Sequence, residues 1–366
     1  MKKISLVLTI AMVLSLLAGC AGTPVIYYTD CTCPSDAHVA APTEAAPVVT
    51  EPVQTEAPVV AEGAVKTGMF IASSISDSKN AGEENGEVKY DLTIVAVNVD
   101  DNGVITACAI DSLGTSVAFD ATGAIVTDVT ASVQTKNELG ENYGMVAWGG
   151  AIAEWDAQAA ALANYAVGKT VDDLYAGAVG ETGYAQDADL ASSATIYLGG
   201  YVQAIELAVA NAKHLGAQAG DELKLAINAN LSDSTSADAE NAGNAQLNVD
   251  AIALTMKDGV ITSAYIDSLQ GKIPFDATGT ITEQLDVQFA TKNMLGEQYG
   301  MVAWGGAIAE WNVQAASFCA YITGKTPAEV SGIAVNEGTK PTEADLATSV
   351  TIAIGGFQAL VAKACQ

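Results

Sequence analysis

Apolar positions along this chain change period, and the change occurs twice. Leu92 to Val99 alternates and is rich in β-branched residues, the pattern of a strand. Asp101-Asn102-Gly103 then turns the chain into Val104 to Ile110, which predicts a β-hairpin, and Lys257-Asp258-Gly259 repeats the turn further on. A further turn at Asp120-Ala121-Thr122-Gly123 leads to another short strand. Beyond it the period lengthens. Met145, Trp148, Ile152 and Trp155 fall at helical spacing and predict one continuous stripe, in which tryptophans are expected in the core rather than on a cofactor platform. A last helix carries Leu198, Val202, Ile205 and Val209 on one face, matched later by Ile354, Phe357, Val361 and Ala364. Strands first and helices after is the order of an α+β fold.

The repetition is an internal duplication. Tyr143 to Trp155 and Tyr299 to Trp311 are the same thirteen residues, YGMVAWGGAIAEW. From Gly103/Gly259 to Gly200/Gly356 the offset is constant, and both copies keep IDSL from Ile110 and Ile266 and FDATG from Phe119 and Phe275. Each copy is long enough for one domain, so the expected organisation is two tandem α+β domains, 66–213 and 222–366, with an exposed linker between them.

Ahead of these lies different material. Lys2 and Lys3 precede a short apolar stretch that runs into Leu17-Ala18-Gly19-Cys20, a lipobox. Residues 1–19 are therefore expected to be a lipoprotein signal peptide, and Cys20 the lipidated residue of a protein anchored on the outer face of the cell membrane. Residues 20–65, rich in Ala, Pro, Val, Thr and Glu, are expected to form a disordered tether that reaches on the order of 100 Å when extended. Cys31 and Cys33 lie within it as a CxC pair of weak meaning.

The formal net charge is −28, and every basic residue is a lysine. Nucleic-acid binding is excluded on that ground, since it needs basic surface. His38 lies in the tether and His214 in the linker, so neither copy contains a histidine and no Ser-His-Asp or Cys-His arrangement is available. Cys108, Cys319 and Cys365 have no counterparts between copies and no metal-ligand spacing, and they read as buried free thiols. No metal site is expected.

One polar motif occurs in both copies. Asp189-Leu190-Ala191-Ser192-Ser193-Ala194-Thr195 stands before the last helix of the first, and Asp345-Leu346-Ala347-Thr348-Ser349-Val350-Thr351 before that of the second. Helix capping accounts for Asp, Ser and Thr at such a place. It does not account for Gly199-Gly200 and Gly355-Gly356, expected in the second turn, because each glycine costs about 1 kcal/mol in a helix interior.

These residues resemble the flavinylation motif Asp-x-x-(Ser/Thr)-(Gly/Ala/Ser)-(Ala/Val)-Thr of FMN-binding domains. Such domains occur in the C subunit of the sodium-pumping NADH:quinone oxidoreductase, in the G subunit of Rnf complexes and in flavinylated surface lipoproteins. With the lipobox, acidic tether and duplication, the chain is similar to the pheromone-type lipoproteins of Gram-positive extracellular electron transfer. The resemblance implies two covalent FMN groups, joined through phosphate to Thr195 and Thr351 by a separate flavin transferase that uses FAD. It implies accessory roles for Asp189, Ser192 and Ser193, and for Asp345, Thr348 and Ser349. Ser193 and Ser349 stand where glycine is commonest, and Val350 where alanine is. A phosphodiester at a helix N-terminus would need no arginine.

The resemblance further implies an electron carrier rather than an enzyme with its own substrate site. It would take electrons from a membrane quinol-oxidising system and pass them to extracellular acceptors such as ferric iron. The alternative is a non-redox binding or spacer lipoprotein whose motifs only cap helices. A pheromone released from the signal peptide is compatible with either.

Overall fold

The computed structural model describes residues 63–366 and the backbone of Val25–Ile26. Cys20 with its lipobox, and Cys31, Cys33 and His38 in the tether, lie outside the described residues. Val25–Ile26 pairs antiparallel with Gln288–Phe289.

The protein is α+β, with two three-stranded antiparallel sheets. Lys66–Ser74, Gly86–Val99 and Ile105–Phe119 form the first, and Glu222–Asn230, Gly243–Lys257 and Val260–Phe275 the second, each in chain order. The two expected hairpins are present and close differently. Asp258 and Gly259 both take positive φ (51° and 79°), the conformation of a tight two-residue hairpin turn, whereas the first loop is longer and places only Gly103 there (φ 80°). The short strand expected after each FDATG turn is reduced to single bridges, Phe119 to Ile125 and Phe275 to Ile281.

Strand alternation sends residues to two different cores. Val95, Val97 and Val99 face the first copy's helices, including Trp155–Ala166 and Gly199–Ala210. Tyr90, Leu92, Ile94 and Ala96 face the other way, into a core shared with Leu247, Val249 and Ala251 of the second sheet. The sheets thus cover each other, and helices cover their outer faces.

Several contacts across the shared core are reciprocal. Phe119 and Phe275, equivalent residues, stack at 4.1 Å with planes 5° apart. Ala81 N donates to Gly279 O and Ala237 N to Gly123 O, both at 2.8 Å. Buried Tyr90 adds a bond from its hydroxyl to Ala245 O at 2.8 Å. The segment expected as an exposed linker is correspondingly tied in: Ala217 and Asp221 are buried, and Val65 N donates to Ala217 O at 3.0 Å.

The single stripe expected over 145–155 is two helices. Met145–Gly149 ends at Gly150 (φ 63°), and a new helix starts at Trp155. The break has a cause beyond the glycines. The Glu154 carboxylate accepts from Met145 N at 2.8 Å and Val146 N at 3.0 Å, folding the segment back on itself, and Glu310 does the same at the same distances for Met301 and Val302. The core expectation holds for Trp155 and Trp311, exposed only 3% and 5%, and fails for Trp148 and Trp304, exposed 90% and 91%.

Candidate functional site

Each motif begins as a one-turn helix, Ala188–Ala191 or Ala344–Ala347, and continues as a loop. Leu190 and Ala194, with Leu346 and Val350, are buried and pin the loop to the helical core, so the valine departure fills an apolar position. Asp189 and Asp345 are exposed and form no salt bridge among the described residues.

The hydroxyls do not cap helix N-termini as expected. Ser192 Oγ donates to Asp189 O at 2.7 Å and Ser193 Oγ to Leu190 O at 3.1 Å, while Thr348 and Ser349 donate to Asp345 O and Leu346 O at 3.3 and 3.2 Å. They close the C-terminal end of the short helix, adding to the backbone bonds that Leu190 O and Leu346 O already accept. The N-terminal cap is Asp187, whose carboxylate accepts from Asp189 N and Leu190 N. Thr195 and Thr351 are not helix starts either, because the last helices begin at Gly199 and Gly355. The glycine pairs therefore occupy the first turn, not the second. In the first copy Gly199 admits Tyr197, whose hydroxyl would lie 2.7 Å from an added Cβ.

What fixes each threonine is a glutamine that the sequence analysis did not single out. Gln158 is fully buried; its Nε2 donates to Ala153 O at 2.8 Å, and its Oε1 accepts from Thr195 N at 2.7 Å, Thr195 Oγ1 at 3.2 Å and Ile196 N at 3.2 Å. Gln314 repeats the arrangement on Ala309 O at 2.8 Å, Thr351 N at 2.7 Å, Thr351 Oγ1 at 3.1 Å and Ile352 N at 3.2 Å. One amide oxygen takes three donors in both copies. Thr195 is exposed and Thr351 half-buried, and the glutamine holds the hydroxyl of each.

A lysine is built in beside each arrangement. The Lys136 ammonium lies 5.1 Å from the ring centroids of both Tyr143 and Trp155, and that of Lys292 5.2 and 5.0 Å from those of Tyr299 and Trp311. These are cation–π distances, and they fix the start of the glutamine-bearing helix.

The IDSL aspartates are buried. Asp111 Oδ1 accepts from Asn137 N at 3.2 Å and Asp267 Oδ1 from Asn293 N at 3.1 Å, holding the first turn of a short helix in each copy. Burial raises both carboxyls, that of Asp267 to about 6, against the opposing pull of its Thr291, Asn293 and Ser268 hydrogen bonds. Asp267, His214 and Asn312 line a cavity of about 800 Å³ between the two copies, to which neither motif threonine contributes. Cys319 is buried while Cys108 and Cys365 are half-buried; all three are free, and burial pushes the Cys108 and Cys319 thiols up to about 12. Among the described residues no cluster of His, Cys, Asp or Glu is arranged to hold a metal ion, and no helix is long and apolar enough to cross a membrane.

The two sites differ in their walls. Beside Thr195, Tyr184 and Tyr197 meet edge to face at 5.7 Å, both about half exposed. Lys340 and Ala353 occupy the corresponding positions beside Thr351. No family model, no curated protein and no solved structure matches the chain.

Proposed function

We propose that the chain is a surface electron carrier built from two tandem domains of the FMN-binding type, 66–213 and 222–366, each holding FMN covalently through phosphate on Thr195 or Thr351. The observation that supports this reading is the glutamine-held threonine, repeated in both halves on a residue that is exposed in one and half-buried in the other. A capping residue needs its side-chain oxygen aimed at its own helix; these threonines use theirs otherwise. An attachment point needs a fixed backbone and a free approach for the transferase, and both threonines offer that.

The residues present fit such a group. The loops carry no arginine, so a phosphodiester would rest on covalent attachment rather than on ion pairing. On a chain of net charge −28, covalent attachment also prevents loss of an anionic cofactor. The bound flavin would supply reversible electron transfer, while the protein sets its exposure and potential. Electrons would come from a membrane quinol-oxidising system and leave to acceptors such as ferric iron, with Cys20 anchoring the protein by lipid on the outer face of the membrane.

Intact-mass measurement after co-expression with a flavin transferase tests the proposal. Two added FMN groups are expected, Thr195→Ala and Thr351→Ala each removing one and the double variant colourless. Each substitution deletes one hydroxyl bond to glutamine and should cost about 1 kcal/mol or less, so the fold survives. Unmodified wild type beside a competent transferase would leave the spacer reading in its place.

A further inference from the structure

We infer that the indoles of Trp148 and Trp304 are the stacking walls for the isoalloxazine rings of FMN carried on Thr195 and Thr351; this rests on the flavin attachment proposed above.

Packing does not explain these two residues. Both lie outside the core, together with Val146 and Ile152 in one copy and Val302 and Ile308 in the other, all of them exposed. Exposed apolar groups that recur together mark a place where something binds. Yet the segment is rigidly made. Glu154 fastens both Met145 N and Val146 N, Gly144 and Gly150 take left-handed backbone at its ends (φ 81° and 63°), and the indole lies against Gly144, where an added Cβ would fall 2.4 Å from its Cδ1. The corresponding distance at Gly300 and Trp304 is 2.3 Å. The backbone that carries each indole is thus fixed while its ring stays open to a partner.

The same glutamine identifies the partner. Gln158 Nε2 holds Ala153 O, in the loop that follows the Trp148 helix, while its Oε1 holds the Thr195 peptide. Gln314 joins the Trp304 loop at Ala309 to the Thr351 peptide. One buried side chain thus joins the segment that follows the indole-bearing helix to the motif threonine, twice. A flavin on that threonine would swing on its ribityl phosphate arm, and the flat apolar face of the indole on the short helix ahead of that loop suits its ring in offset stacking.

The test uses the full chain co-expressed with a flavin transferase, with FMN occupancy read by intact mass and flavin emission read per bound FMN. A stacked indole quenches flavin emission by giving the excited ring an electron that then returns, with no net chemistry. Trp304→Ala on a Thr195→Ala background isolates the second site, and Trp148→Ala on Thr351→Ala the first. Because both indoles are exposed, these variants should fold and keep their single FMN. Emission per FMN should rise several-fold, more at the second site, where Lys340 and Ala353 replace the tyrosines. Trp304→Phe should raise emission as well, since phenylalanine stacks without quenching. Full occupancy with unchanged emission would overturn the stacking while leaving the flavin reading intact. Absence of FMN from wild type would overturn both.

Discussion

The two halves of this chain keep the same skeleton around their motif threonines and surround it differently. Gln158 and Gln314 make matching bonds to within 0.1 Å. The walls diverge: an aromatic pair and an exposed Thr195 in the first, Lys340, Ala353 and a half-buried Thr351 in the second. The IDSL aspartates diverge too. Glu138 adds negative charge beside Asp111, whereas Met294 stands at the corresponding place near Asp267. On the proposed reading, what is shared would serve attachment and what differs would set the surroundings of the attached group. Two flavins on these threonines would therefore have different potentials.

The largest effect should come where the halves are most alike. Phe119→Ala and Phe275→Ala each remove one ring of the stacked pair and should cost about 4 kcal/mol in thermal or denaturant unfolding. Because the rings face each other, the double variant should cost less than the sum. Full additivity would mean that the shared core does not couple the halves.

Gln158→Ala and Gln314→Ala should follow at about 3 kcal/mol each, since three donors lose their shared acceptor and a cavity opens where the fully buried side chain stood. FMN incorporation should fall at the threonine of the substituted half only. Equal loss at both threonines would contradict separate skeletons.

A smaller effect separates the halves by pH. A carboxyl raised to about 6 in the folded state holds its proton more tightly there than in the unfolded chain. Its contribution to stability is thus greatest below about pH 4 and is lost as pH rises through 6, by no more than about 3 kcal/mol. Asp267→Asn should remove that loss, seen as a difference from wild type between pH 4.5 and 7.5. Asp111→Asn should show the same sign. Opposite signs would mean that one of the two is not the buried carboxyl described.

Much of this was legible in the sequence. Alternation located the hairpins, and the three-four spacing located the last helix, whose Val202 and Ile205, with Leu198 just before its first turn, are fully buried. The broken helix was not legible, because periodicity does not register that Glu154 caps an earlier segment of the same stretch. Gln158 looked like an ordinary polar residue on a helix. A signal existed: Asp156 and Ala157 become Asn312 and Val313 in the second copy, while the glutamine stays. The shared core had a signal as well. Ile94 to Val97 is apolar without alternation, as befits a strand buried on both faces.

The reciprocal contacts between the sheets carry a consequence for how such a chain arises. Residue for residue they form an isologous interface, with equivalent phenylalanines stacked where a two-fold axis would pass. A single copy bearing this face would have been a symmetric homodimer, in which every substitution appears twice. Covalent fusion removed that constraint. Tyr184 in one half and Lys340 at the corresponding place in the other then give one molecule two unlike sites on a common frame.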